Sequence, residues 1–112
     1  MPVKEQHIEQ ANHNDQFWNS LNPGNTPYLD WVVCAIFYEA IHWVEAFLAT
    51  KGLHSHTHAT RQVSMLHYSY ELGPILDDFR FLKNDSENAR YRCYRHSLSD
   101  VQTKIIPHLN AI

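Results

Sequence analysis

The sequence is short of chain breakers. Three glycines and five prolines among 112 residues leave long stretches in which a helix can run without interruption. Cysteine is sparse too. Cys34 and Cys93 stand far apart and match no CxxC pattern, so both are expected as buried free thiols. No continuous apolar run is long enough to cross a bilayer, because Asp30, Glu39, His42 and Glu45 interrupt the most hydrophobic stretch. The opening MPVKEQHIEQANHND lacks the apolar segment of a secretory signal. A cytoplasmic protein without membrane attachment is the expectation. No Walker loop, GxGxxG, GxSxG or HExxH is present, and no cofactor is expected. A basic excess is missing as well. The net charge of −3, with nine histidines uncounted, argues against non-specific polyanion binding by the whole surface.

What is there is apolar and aromatic. A hydrophobic content of 44% with 12% aromatic residues can build a real core, which excludes disorder. The length suits a single domain, residues 1–112. Charge is distributed unevenly. Residues 1–56 hold two basic and six acidic side chains, and residues 57–112 hold seven and six. A local basic patch therefore belongs to the second half.

The organising stretch is Thr26 to Gly52, TPYLDWVVCAIFYEAIHWVEAFLATKG. Thr26 can cap a helix with Pro27 in its first position, and Gly52 can take the left-handed conformation that ends one. At 100° per residue Leu29, Val33, Ile36, Ala40, Val44 and Phe47 share one face. Trp31, Ala35, Tyr38, His42, Glu45 and Ala49 share the opposite one, a mixture of rings, small residues and ionisable groups that suits a pocket or a subunit contact.

Around it the periodicity predicts an outer helix over residues 3–21, with a thin stripe of Ile8, Ala11, Trp18 and Leu21. LNPGNTP, 21–27, is a turn. A third helix is predicted from Ser55 or Thr57 to about Leu72, with Ala59, Val63, Leu66 and Tyr70 inward, closed by Gly73-Pro74. A short helix, 75–83, comes next with Ile75, Leu76, Phe79 and Leu82 inward. Asn84-Asp85-Ser86 breaks the pattern, and a last helix starts near Glu87 with Tyr91, Tyr94, Leu98, Val101, Ile105 and Leu109 as its stripe. Pro107 should kink or fray its end. No strand is predicted. The fold class is all-α, an antiparallel bundle of four to five helices.

Two runs of residues resemble a known family. Ala35-Ile-Phe37-Tyr38-Glu-Ala40-Ile-His42-Trp-Val-Glu45-Ala46-Phe-Leu48, with Gly52, the His54/His56/His58 turn and Arg61 after it, is similar to the second helix of HEPN-domain proteins and the start of their next helix. Ala89-Arg90-Tyr91 resembles the signature that opens their last helix. The resemblance covers roughly residues 27–95. It implies a HEPN-like bundle that pairs as a homodimer and works on RNA or nucleotides. Members include metal-independent RNases of toxin–antitoxin and defence systems, and non-catalytic partners of nucleotidyltransferases. A partner nucleotidyltransferase or antitoxin is therefore implied. Catalytic members place four to six residues between an Arg and a following His; Arg90 and His96, with five between them, fit. Histidine would act as general acid or base on the 2′-hydroxyl, and arginine would stabilise the phosphorane. Tyr91 departs from the small polar residue that often comes after the Arg. On one ideal helix Arg90 and His96 would lie about 120° apart.

Three classes of function stay open. The first is the RNase. The second is a binding module using Trp31, Tyr38, His42 and Glu45. In both, Arg92 and Arg95 join Arg90, Tyr91 and Tyr94 in a basic-aromatic patch suited to single-stranded RNA. Against that patch stands a plainer role, with the tyrosines in the core and the arginines paired to Asp77, Asp78, Asp85 or Glu87. The third class is a metal-binding bundle. His54, His56 and His58 alternate in a turn, but no cysteine or carboxylate lies close by to complete a site. Glu39-x-x-His42 is half of a di-iron motif with no second copy in the chain.

Overall fold

The computed structural model describes residues 2–112. Five helices make the domain, and no strand occurs among the described residues. Helix α1 spans Lys4–Ser20, α2 Leu29–Ala49, α3 His58–His67 and α4 Ser69–Tyr91. Helix α5 begins at Leu98–Asp100, passes through a π-helical turn at Val101–Ile105 and finishes as Ile106–Ala111. Helices α1 and α2 pair closely, α4 packs along α2, and α5 returns onto both α4 and α2.

The α2 stripe Val33, Ile36, Ala40 and Val44 is buried as its period predicts, and Val32, Phe37, Ile41 and Leu48 are buried beside it. Phe37 meets Phe79 of α4 with ring centroids 5.6 Å apart. Fully burying such a ring contributes about 1.5–3 kcal/mol. By length and composition α2 could cross a bilayer, contrary to the expectation from its charges, but most of its apolar window is buried inside the domain. Its start also differs. Helical geometry begins at Leu29 after Tyr28, so Pro27 is outside, and Thr26 Oγ1 accepts from the Tyr28 N–H at 3.0 Å. Gly52 has φ of +73°, the left-handed conformation that lets the chain leave α2.

Helix α1 buries His7, Ala11 and Trp18, whereas Ile8 is only half-buried. Its thin apolar stripe is supplemented by polar anchors. The Trp18 indole donates to Glu39 Oε1 at 2.8 Å, and the Trp43 indole donates to Oε2 of the same carboxylate at 3.0 Å. Burial pushes the Glu39 carboxyl above its ordinary range, while the two indole donors pull it back. Glu39 is thereby committed to structure and takes no part in a metal pair with His42.

The second half of the chain departs most from its sequence pattern. Thr57 caps α3, accepting from the Thr60 N–H at 3.1 Å. The helix then breaks at Tyr68 rather than at Gly73-Pro74. Pro74 is the sixth residue of α4, where the one bond it removes would end on the carbonyl of solvent-facing Tyr70. Asn84-Asp85-Ser86 runs on as helix because Leu82 and Ser86 stay on the buried face and Lys83 pairs with Glu87 at 2.7 Å. Ala59, Val63, Leu66 and Tyr70, expected inward, all face solvent; Arg61 and Met65 are buried instead.

Tyr91 ends α4, and residues 92–97 form a connection. The stop is made by Cys93 at φ +54°, a left-handed conformation that costs a non-glycine residue roughly 1–2 kcal/mol. Cys93 is exposed, unlike Cys34, and both are free thiols. Tyr91 and Tyr94 are exposed rather than in the core, while Val101, Ile105 and Leu109 are buried as expected. The distortion expected from Pro107 takes the form of the π-turn before it, with the Ile106 N–H reaching back to the Val101 carbonyl.

Candidate groove and polar staples along helix α2

One stripe of α2 touches every other helix of the first four. Tyr38, His42 and Glu45 lie one turn apart on the same side, and each reaches a different element. The Arg90 guanidinium of α4 donates through Nη1 to the Tyr38 hydroxyl at 2.8 Å. His42 Nδ1 stands 3.0 Å from His7 Nδ1 of α1. Arg61 Nε of α3 donates to Glu45 Oε1 at 2.7 Å. His42 and Glu45 do not pair with each other, because each side chain has its own partner on another element.

The Glu45 end is closed. Arg61 and Glu45 are both buried, and the Ser55 N–H adds a longer bond to Glu45 Oε2 at 3.4 Å. Arg61 Nη1 also reaches His58 Nδ1 at 3.0 Å, so that nitrogen is an acceptor. Burial, with Arg61 next, lowers the His58 pKa.

The middle holds two imidazoles, His7 buried and His42 half-buried. One Nδ1 must carry a proton and the other a lone pair for their hydrogen bond to exist. Burial is the main cause that lowers the pKa of each. For His42 the neighbouring His7 and Arg61 lower it further, and Glu45 opposes them.

The Tyr38 end is open. Gln10, Asn14 and Phe17 of α1, Trp31, Cys34, Ala35, Tyr38 and His42 of α2, and Arg90 of α4 line a groove of about 510 Å³. Trp31 is 57% exposed and Tyr38 41%. Cys34 lies on the groove floor, its thiol pushed up in pKa by burial. Arg90 is positioned by the Ser86 carbonyl at 3.3 Å and lies over the Tyr91 ring at 4.9 Å. It makes no ion pair among the described residues. A guanidinium with a neutral phenol for its partner keeps its full charge for an incoming anion.

Compared with known family models, curated proteins and solved structures, the chain finds no match.

The structure separates Arg90 from His96. They are not on one helix; Arg90 ends α4 and His96 lies in the connection before α5. His96 lines another hollow, about 210 Å³, with Asp85, Asn88, Tyr94, Asp100 and Lys104. Its side chain is buried, with Nε2 3.4 Å from Asp85 Oδ1 and the Tyr94 ring against its edge. The arginines also do not pair with the acids near them in sequence. Arg92 binds the Asn88 amide oxygen at 2.7 Å, and exposed Arg95 reaches Asp30 at 3.4 Å. The histidine turn is divided. His54 and His56 line a hollow of about 210 Å³ with His7, His42, Glu45 and Arg61, whereas His58 turns to Arg61.

Helix α1 contributes residues outside the sequence-predicted site. His7, Gln10, Asn14 and Phe17 recur at three- and four-residue steps, and that spacing is the signal for one helix face toward the groove. Their polarity disguised them as solvated surface.

Proposed function

We propose that this chain is a HEPN-like binding module whose groove between α1, α2 and α4 takes a nucleotide unit of single-stranded RNA. The observation that carries the reading is Arg90, held against Tyr38 at 2.8 Å and in no ion pair, in a groove walled by the Trp31 and Phe17 rings. A phosphate would accept from the guanidinium, and a base would stack on the exposed Trp31 indole. Stacking on an aromatic side chain contributes about 1–3 kcal/mol per base and tolerates any base. Gln10 and Asn14, already linked by an amide hydrogen bond of 3.0 Å, offer donors and acceptors to the base edge. Exposed Arg92, next along the chain, extends the positive strip. Asp30 offsets the neighbouring Arg95.

The groove supports binding more than cleavage, since Arg90 and His96 line separate hollows in one chain. As a HEPN-like domain the protein would pair with a second copy and serve beside a nucleotidyltransferase or antitoxin.

Anisotropy of a short labelled single-stranded RNA tests the reading. Binding is expected for the native chain, with a loss of about tenfold or more in Arg90→Ala, the contribution of a hydrogen bond to a charged group, and a comparable loss in Trp31→Ala. Equal affinity in all three proteins would sink it.

A further inference from the structure

Four histidines converge on the hollow at the Glu45 end: His7, His42, His54 and His56. Two of them already meet. His7 Nδ1 and His42 Nδ1 are 3.0 Å apart across the α1–α2 contact. Zinc–imidazole bonds of about 2.0–2.1 Å in tetrahedral array hold their nitrogens about 3.4 Å apart, so the pair needs to open by only a few tenths of an ångström. Their 3.0 Å contact already requires one Nδ1 to present a lone pair, which is the ligating form of imidazole. The third side chain is His54, on the turn after α2. Its Nδ1 is sealed from solvent and has no hydrogen-bond partner. A buried nitrogen left unpaired carries a desolvation penalty, and ligation to an ion would relieve it. Arg61, also in the hollow, is neutralised by Glu45 at 2.7 Å, so its charge is not a bar to a cation.

We infer that His7, His42 and His54 form a binding site for a zinc-like divalent transition metal ion. Among the described residues no three His, Cys, Asp or Glu side chains converge on one point as they stand; the ion is captured by the His7–His42 pair, and His54 turns its side chain to complete the set. Three imidazoles leave a fourth position for water, as an open zinc site requires. For both Nδ1 atoms to ligate, the ring that carries its proton on Nδ1 moves it to Nε2 by exchange with solvent, so both rings bind as neutral imidazoles and no net proton is released. Binding would tie α1 to the turn after α2, and so stabilise the fold independently of RNA in the adjoining groove.

Calorimetric titration of the tag-free full chain with Zn2+ tests the site, with thermal melting as a second readout. One Zn2+ per chain and a raised Tm are expected. Affinity should fall at least tenfold in His7→Gln, His42→Gln and His54→Ala, and stay within threefold in the His56→Ala/His58→Ala double variant. His54→Ala changes only a turn residue, so its loss of binding reads the site even if a helix variant fails to fold. Absence of binding to the native chain would overturn the assignment. So would binding that survives His54→Ala, or that disappears with His56 and His58, the mark of a flexible histidine turn acting alone. RNA affinity is unchanged by Zn2+ in the expected result, so failure of the RNA reading leaves this test intact.

Discussion

Arg61 and Arg90 both reach across to the same stripe of α2, and they meet opposite circumstances. Arg61 is buried and faces a buried carboxylate at 2.7 Å. Arg90 is half-buried and faces a phenol at 2.8 Å. The first charge is compensated inside the molecule, holding α3 to α2. The second is braced but not neutralised. Two arginines with similar reach thus separate into a staple and an anion site, and the difference rests on one position: Glu45 against Tyr38.

The largest expected effect comes from breaking the staple. Glu45→Ala leaves the Arg61 guanidinium buried without its counter-charge, which costs about 3–5 kcal/mol, read as a drop in urea midpoint. Replacing both partners, Glu45→Leu with Arg61→Met, should recover most of that loss, because the penalty lies in the orphaned charge. The corresponding change at the open end, Tyr38→Phe, should cost no more than about 1 kcal/mol, since it removes one hydrogen bond at an exposed edge.

The histidine pair between the two ends gives the next effect, through pH. Burial lowers the His7 and His42 pKa values from 6.5 in the folded chain. Below pH 6.5 the unfolded chain therefore binds more protons than the folded one, and stability falls as the pH drops toward the folded values. Each group can contribute a slope of at most about 1.4 kcal/mol per pH unit in that window. His58 acts with the same sign. Glu39, raised above 4.5, acts with the opposite sign at lower pH. Denaturation midpoints at pH 7.5 and 5.5 should therefore differ more in the native chain than in His42→Gln; equal differences would refute the assignment.

A smaller effect sharpens the closed end. Thr57→Ala removes the cap of the helix that carries Arg61, and should cost about 1 kcal/mol. Arg90→Ala should be the mildest on stability, within about 1 kcal/mol, because its partners are a phenol, a carbonyl and an aromatic face.

How far these contrasts could be read in advance varies along the chain. The α2 stripe was legible, because Val33, Ile36, Ala40 and Val44 keep a period that only a buried helix face produces. Trp31, Tyr38 and His42 share another side of the same helix by their spacing, and they line the groove. The partners of that stripe were not legible. Arg61, His7 and Arg90 come from separate helices, and sequence spacing within a helix says nothing of distances between helices. Helix breaks misled in both directions. Gly73-Pro74 is strong local punctuation, yet Pro74 lies near a helix start where little is lost. Cys93 carries no turn signal, yet its left-handed backbone ends α4 and leaves Tyr94 and His96 off the predicted helix. Arg90 and His96 were placed together by spacing alone, and that one residue parts them.

The most direct test of the contrast is the salt dependence of RNA binding. For single strands the slope of log K against log salt is about −0.7 per phosphate neutralised. Arg90→Ala should make the slope shallower by about 0.7 and leave the urea midpoint close to that of the native chain. An unchanged slope in Arg90→Ala would contradict the account, because it would mean that the unpaired guanidinium meets no phosphate.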